Sequence, residues 1–402
     1  MATLIFVPAL TFLDARAMVL RQVLACRGLP STDTVALADS HGRVLAADAA
    51  ADRDYPQFNR SVRDGFAVRA SDIPGRLRIT GEVRAGERFA GVLGAGEAVE
   101  IMTGAPVPEG ADAVIMVEHC TRQGDGTVET AQTASSGSNI APLACEARAG
   151  SVVLRRGFRV DHAAAGWLAT IGCARVPVYA RPRVAILATG DEIVPVDATP
   201  APHQIRNSNS YSLAAQVRRA GGEPVILPVA RDEREATADL IAQGLEADLL
   251  LLSGGVSAGK YDFVEAALAD CGAEFYFDRV LIQPGQPVVF GKARGKFFFG
   301  LPGNPASTMV TFELFGRAAL ELLAGADEAP LPLTLARLTR PFRHKPGLTR
   351  FLPAHVSCTE VTPVDWQGSG DIPSLCRANA FLVADPGQAE YAAGDVIPVL
   401  LK

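Results

Sequence analysis

Apolar residues recur near a 3.6-residue period over residues 10–28, at Leu10, Leu13, Ala17, Leu20 and Leu24. That spacing predicts an amphipathic helix with these side chains as its apolar stripe. Residues 76–160 have another texture: the short alternating runs RLRIT, EAVEIM and DAVIMVEH are divided by glycines. Period-two runs broken by turn residues predict a small β-domain. Within it, residues 121–151 are polar and rich in Gly and Ser, and read as loop. Residues 162–174 predict a helix of small residues.

From Arg181 the pattern changes again. RVAIL (183–187), VILPV (225–229) and DLLLL (248–252) are apolar runs of strand length, as are residues 286–290 and KFFFG (296–300). Between them lie predicted helices at 208–220, ended by Gly221-Gly222, at about 232–245 with Asp232 as its cap, at 262–270 and at 306–323. Strands alternating with helices predict a doubly wound α/β domain, its parallel-type sheet covered on both faces. Pro330–Pro332 reads as a linker, and FLPAHV, AFLVAD and DVIPVLL predict a C-terminal β-domain. The fold class is thus α/β plus β, in several domains.

Composition sharpens this picture. The chain has 402 residues, 48% of them hydrophobic and 20% charged, so whole-chain disorder is excluded. A formal charge of −6 argues against a sequence-independent grip on nucleic acid. The apolar N-terminus MATLIFVPALTFL lacks a basic flank, carries Pro8 and reads as core rather than as a signal peptide. No uncharged run is long enough to span a membrane. The seven cysteines are scattered, with no C-x-x-C pair, which points to reduced thiols and a cytoplasmic location. The 38 Gly and 27 Pro are roughly 16% of the chain against about 12% on average, so many tight turns are expected.

Three of those turns carry candidate chemistry. ATGDE (188–192), SGGVSAG (253–259) and LPGNP (301–305) each follow an apolar strand. Ligands bind outside the carboxyl ends of such strands, and glycines let the backbone approach an anion. Asp191, Glu192, Asp232 and Asp262 stand beside these loops and suit Mg²⁺, although Asp191 and Asp232 read equally as helix caps. Gly254–Lys260 imitates a phosphate loop, but Tyr261 stands where Ser or Thr would hold the metal. The β-domain adds RSVRDGFAV (60–68) and IMTGAPVP (101–108), whose Asp64 and Thr103 read either as turn residues or as site residues. His41 and His344 read as surface or turn residues, and no histidine shows metal spacing.

Taken together, SHGRVLA (40–46), SVRDGFAV (61–68), IMTGAPVPEGADAVI (101–115), SGSNI (136–140), ATGDE, SGGVSAGKYD (253–262), PGQP (284–287) and GLPGNPAS (300–307) resemble the molybdopterin molybdenumtransferases, the family of the gephyrin E domain. The resemblance spans nearly the whole chain. It implies a helical spine from residues 1–50 with 150–176, an inserted β-domain (51–149), an α/β domain (177–328) and a C-terminal β-domain (329–402). It also implies a homodimer with the site between the α/β domain of one subunit and the β-domain of the other. The implied reaction takes adenylylated molybdopterin and molybdate, releases AMP with Mg²⁺ assistance, and leaves molybdenum in the dithiolene. Molybdoenzymes or other cofactor-biosynthesis proteins would be further partners, and no nucleic acid or membrane is implied.

Carried over by the motifs, Asp64, Thr103, Glu192 and Asp262 match positions needed for activity, and Glu192, Asp232 and Asp262 those near the metal. Thr189, Gly190, Ser253, Gly254, Gly255, Ser257, Pro302, Gly303, Asn304 and Pro305 match the pterin-phosphate and nucleotide loops. The oxoanion would fall to Gln283, Gln286, Pro287, Arg350 and Ser369. Here the chain departs from the family: K-P-G-K-P reads Q-P-G-Q-P, with both lysines replaced by Gln283 and Gln286. Two arginine positions of G-R-T-E-F-x-R are Leu348 and Pro353, while Arg350 replaces the acidic residue. The R-x-x-G-x-D segment is also lost over Pro142–Glu146. Gln offers a neutral amide where a dianion favours fixed cations. A second reading therefore stands beside the enzyme: a paralogue that binds or carries molybdopterin or finished cofactor, or handles another oxoanion. A non-catalytic scaffold is a third.

Overall fold

A computed structural model describes residues 9–231, 233–255 and 263–402. Its central sheet has six strands in the order Glu223–Ile226, Arg183–Ala188, Leu249–Ser253, Lys296–Leu301, Val289–Ala293 and Glu274–Phe277. The first four run parallel. Val289–Ala293 pairs antiparallel with both of its neighbours, so the sheet is mixed. The cause is local. Ala293 pairs with Lys296 across the two residues Arg294 and Gly295, whose φ values of 49° and 79° are those of a tight hairpin turn. The strand expected at 286–290 accordingly lies at Val289–Ala293.

Burial alternates along the central strands as their pleat requires. Val184, Ile186, Leu249, Leu251, Phe297 and Phe299 enter one core with helices Phe12–Cys26 and Ser208–Arg219 and the Pro305–Leu323 stretch. Ala185, Leu187, Leu250, Leu252 and Phe298 enter the opposite core with helices Arg234–Gly244 and Phe263–Asp270. A strand buried on both faces needs apolar residues at every position, which is why DLLLL is continuous. The helix Arg234–Gly244 has Glu233 rather than Asp232 at its cap position. The long C-terminal helix is interrupted by a π-turn over Phe312–Gly316.

The first helix is present but turned from its expected face. Phe12, Ala15, Val19 and Val23 are buried, whereas Leu13 is 70% and Leu24 46% exposed. The helix is apolar around much of its circumference, so periodicity alone allowed two stripes. It packs on the α/β core, apart from the rest of segments 1–50 and 150–176. The other part has its own core: Thr32–Ala36 pairs with Arg175–Tyr179, and Leu45, Ala164, Leu168, Val176 and Val178 pack together.

The inserted region forms a six-stranded sheet whose two cores draw only on residues 66–140. Strands Cys120–Arg122 and Thr127–Thr130 and the short Ile140–Ala141 lie where a loop was expected. Near the C-terminus, Thr349–Ser357 pairs with both Glu360–Pro363 and Ala380–Ala384, so five strands close into a small barrel. No helix among the described residues is long and apolar enough to cross a membrane.

Candidate active site

The chain runs from Arg183–Ala188 to the strand on one side of it, then returns to Leu249–Ser253 on the other. Between these two carboxyl ends a parallel sheet opens its binding crevice. Thr189 N donates to Ser253 O at 3.1 Å, Gly190 N to Ala230 O at 3.1 Å, and Gly254 N to Leu301 O at 3.1 Å. Three loops are thereby tied edge to edge. Gly254 and Gly255 have φ of 91° and 64°, and a Cβ on Gly255 would lie 2.7 Å from Thr189 Oγ1. Only glycine permits that approach.

The third loop closes against the second, since a Cβ on Gly303 would lie 3.7 Å from Gly254 Cα. Pro302 O accepts from Thr308 Oγ1. Asn304 is exposed at the cap position without a side-chain cap bond, and Pro305 begins the helix. Asn209 joins the two loops: its Nδ2 donates to Ser253 Oγ at 2.9 Å and to Gly303 O at 2.8 Å. Sequence reading missed this residue. The N-S-N-S run at the helix start signals only the cap, which Asn207 takes by accepting from Ser210 N at 3.1 Å.

Glu192 is exposed at the carboxyl edge, with its carboxylate folded over Gly190, where a Cβ would lie 2.4 Å from its Oε2. No helix starts at Asp191. The strand Ile193–Val194 follows instead and pairs with Ile205–Arg206, so the cap reading of Asp191 fails. Asp232, Ser257 and Asp262 lie outside the described residues, as do Lys260 and Tyr261. Among the described residues, no three His, Cys, Asp or Glu side chains gather to hold a metal.

The inserted domain brings its own pair together. Thr103 N donates to Asp64 Oδ1 at 2.6 Å, and both residues are exposed. This backbone bond, then a side-chain bond from Thr103, holds the Asp64 carboxyl below its ordinary range. Gly104 N donates to Ser61 O at 2.8 Å and Val62 N to Asn139 O at 3.0 Å, so three sequence motifs meet here. Gly65 passes so close to Ile115 that a Cβ would lie 1.9 Å from its carbonyl oxygen.

A pocket of about 300 Å³ lies where the α/β sheet meets the barrel, lined by Gln283, Pro287, Gln286, Ser307, Leu348, Trp366 and Ser369 among others. None of its lining residues is charged. Ile282–Gln283 adds to the barrel strand beside Thr349–Arg350, and Ala306 N donates to Ser369 O at 2.9 Å. Arg350 is backbone neighbour to Gln283, yet it does not line the pocket, and its Nε donates to Lys345 O at 3.2 Å. Pro353 is buried opposite Phe381. His344, expected as a surface or turn residue, is half-buried and stacks with Tyr391 at 5.9 Å between centroids.

Comparison with known proteins decides what these loops belong to. The MoeA N-terminal region (domain I and II) matches residues 10–172, a "probable molybdopterin binding domain" matches 185–322, and the MoeA C-terminal region (domain IV) matches 335–402. The chain is 37% identical over 386 residues to a molybdopterin molybdenumtransferase of Bacillus subtilis, covering 92% of this chain and 90% of that protein. The chain belongs to the molybdopterin molybdenumtransferase family. A relative of the same name from Staphylococcus aureus is 33% identical over 380 residues, 92% of this chain and 90% of that one. The crystal structure of the molybdopterin biosynthesis MoeA protein from Pyrococcus horikoshii OT3 aligns with a TM-score of 0.78 at 27% identity, over 98% of this chain and 100% of that chain. The family's molybdopterin-binding region thus contains all three switch-point loops, and its N-terminal region contains Asp64 and Thr103. A shared transferase name over nine-tenths of a relative's length favours the enzyme over the carrier and scaffold readings.

Proposed function

We propose that this chain inserts molybdenum from molybdate into adenylylated molybdopterin with release of AMP, a step of molybdenum cofactor biosynthesis. The observation that carries this reading is the meeting of three glycine loops at the sheet's switch point, inside the region matched by a molybdopterin-binding model. Thr189, Gly190, Ser253, Gly254, Gly255 and Ser257, with Pro302, Gly303, Asn304 and Pro305, hold the pterin phosphate and nucleotide. Backbone amides aimed at the phosphates take up the charge that develops on the leaving AMP.

The donors near the sheet edge fit Mg²⁺ in kind. Glu192 presents carboxylate oxygens over Gly190, and hard oxygen ligands suit that ion. Glu192, with Asp232 and Asp262, would hold it, and it would polarise the phosphate oxygens. Molybdate enters the pocket beside Gln283, Gln286, Pro287 and Ser369 as a substrate met by neutral donors.

Asp64 and Thr103 belong to a domain with a separate core, and in this reading they reach the loops of a second copy of the chain. The exposed stripe Leu13, Ala17 and Leu24 on the first helix supports such a homodimer. A cytoplasmic location accords with seven unpaired cysteines. The test is release of AMP from adenylylated molybdopterin with and without molybdate. Molybdate-dependent release, lost in Glu192→Gln, is expected. Tight pterin binding without release would overturn the enzymatic reading.

A further inference from the structure

Asn209 stands in the first turn of the helix Ser208–Arg219, but it is not needed to start it, because Asn207 already caps Ser210 N. Its amide reaches away from the helix. Its Nδ2 makes two donations, one to Ser253 Oγ at 2.9 Å and one to Gly303 O at 2.8 Å. These partners close two different strands of the sheet, 44 and 94 residues further along the chain. One planar group therefore sets the gap between the second and third glycine loops. The amide oxygen is treated differently: Oδ1 is buried and has no partner among the described residues. Buried acceptors are normally paired, so this oxygen is open to a further donor.

We infer that Asn209 is a positioning residue of the proposed pterin–nucleotide site. It fixes the spacing of the Ser253 and Gly303 loops, and it keeps Oδ1 for an N–H or O–H donor of the ligand held between them. The inference rests on the reading under Proposed function and deepens it by naming the group that presets the site. It acts through its two loop partners and through that one acceptor, so its effect falls on binding. Backbone amides grip a phosphate only at a matching separation, and small displacements are costly.

The test compares Asn209→Asp and Asn209→Ala in the full chain. Asp keeps the volume and an acceptor but loses both donated hydrogens. AMP serves as the calorimetric probe, and adenylylated molybdopterin with molybdate gives KM and kcat. Both variants are expected to raise the AMP Kd and the KM by about tenfold, with kcat within about threefold of the wild type. Adding Ser253→Ala to either should raise KM by less than the two separate effects combined, because they share one contact. Should the Ala variant fail to fold, the Asp variant and this cycle carry the test. A lowered Tm with unchanged KM and AMP affinity would assign Asn209 a structural role and overturn the inference alone. A wild-type chain that neither binds AMP nor releases it would overturn the underlying reading and the inference with it.

Discussion

The backbone N–H of Thr103 donates to Oδ1 of Asp64 across 2.6 Å, joining loops 39 residues apart. A donated hydrogen favours the charged form of a carboxyl, so Asp64 titrates below its ordinary 3.8. The folded value lies below the unfolded one. The bond's contribution is therefore complete above the unfolded value and is lost only as pH falls through the lower, folded value. Carbon-detected NMR should place the Asp64 midpoint below 3.8. Thr103→Ala should leave it depressed, since the backbone bond is the larger cause. A midpoint at the ordinary value in the wild type would show that the Thr103 bond does not favour the charged form, although Asp64 would still be ionised at neutral pH.

The neutral pocket makes a prediction about salt. Gln283 and Gln286 line a cavity without a charged side chain. Neutral donors bind a dianion with little screening, whereas lysines add attraction that salt weakens. Molybdate affinity of the wild type should change little between low and physiological ionic strength. Gln283→Lys with Gln286→Lys should tighten binding by about tenfold or more at low salt, at least 1.4 kcal/mol, and lose much of that gain as salt rises. Calorimetric titration at two ionic strengths checks both parts. Equal affinity in the two proteins would mean that oxoanion binding lies elsewhere.

How far the sequence could speak is clear from particular residues. Leu249–Leu252 announced a central strand because alternate side chains enter two cores and both must be apolar. The glycine loops were legible for a similar reason: positive φ at Gly254 and Gly255 leaves few alternatives. The direction of Val289–Ala293 was not, because the two-residue Arg294-Gly295 hairpin turn stands inside a pattern of alternating strands and helices that predicts a parallel sheet. The inner face of the first helix was ambiguous because Leu13 and Leu24 match the period as well as Val19 and Val23 do. Asn209 was invisible for a deeper reason. A bridging amide has no local pattern, and its meaning appears only when distant loops are brought to it.

Two glycines of the site should respond differently to a methyl group. At Gly255, φ is 64° and a Cβ would lie 2.7 Å from Thr189 Oγ1 and 2.8 Å from Val264 Cγ2. At Gly303 the nearest atom would be Gly254 Cα at 3.7 Å, an ordinary contact. Gly255→Ala should cost about 1–3 kcal/mol through backbone strain and displacement of Thr189, and should abolish most AMP binding. Gly303→Ala should fold normally. Thermal unfolding and AMP titration of both variants separate these outcomes, and equal tolerance would show that the Thr189–Gly255 approach is not a constraint.

Arg16 tests whether the first helix belongs energetically to the α/β core. It is 7% exposed and donates to Leu314 O at 2.6 Å and to Ala329 O. Leu314 lies in the π-turn, where the helix widens. Burial, then the charge of Arg317, pushes the Arg16 pKa down to about 10, which still leaves it protonated at neutral pH. Arg16→Leu removes the donor from two buried carbonyls, at a cost of about 1–3 kcal/mol each. Arg16→Lys, with one compact ammonium in place of a fork, should recover part of that loss. Hydrogen exchange should accelerate through Phe12–Cys26 in the Leu variant and spare residues 66–140, whose cores are separate. Protection unchanged in the helix would mean that Phe12, Ala15, Val19 and Val23 dock it without the arginine. In that case the buried charge serves the π-turn and the Ala329 carbonyl instead.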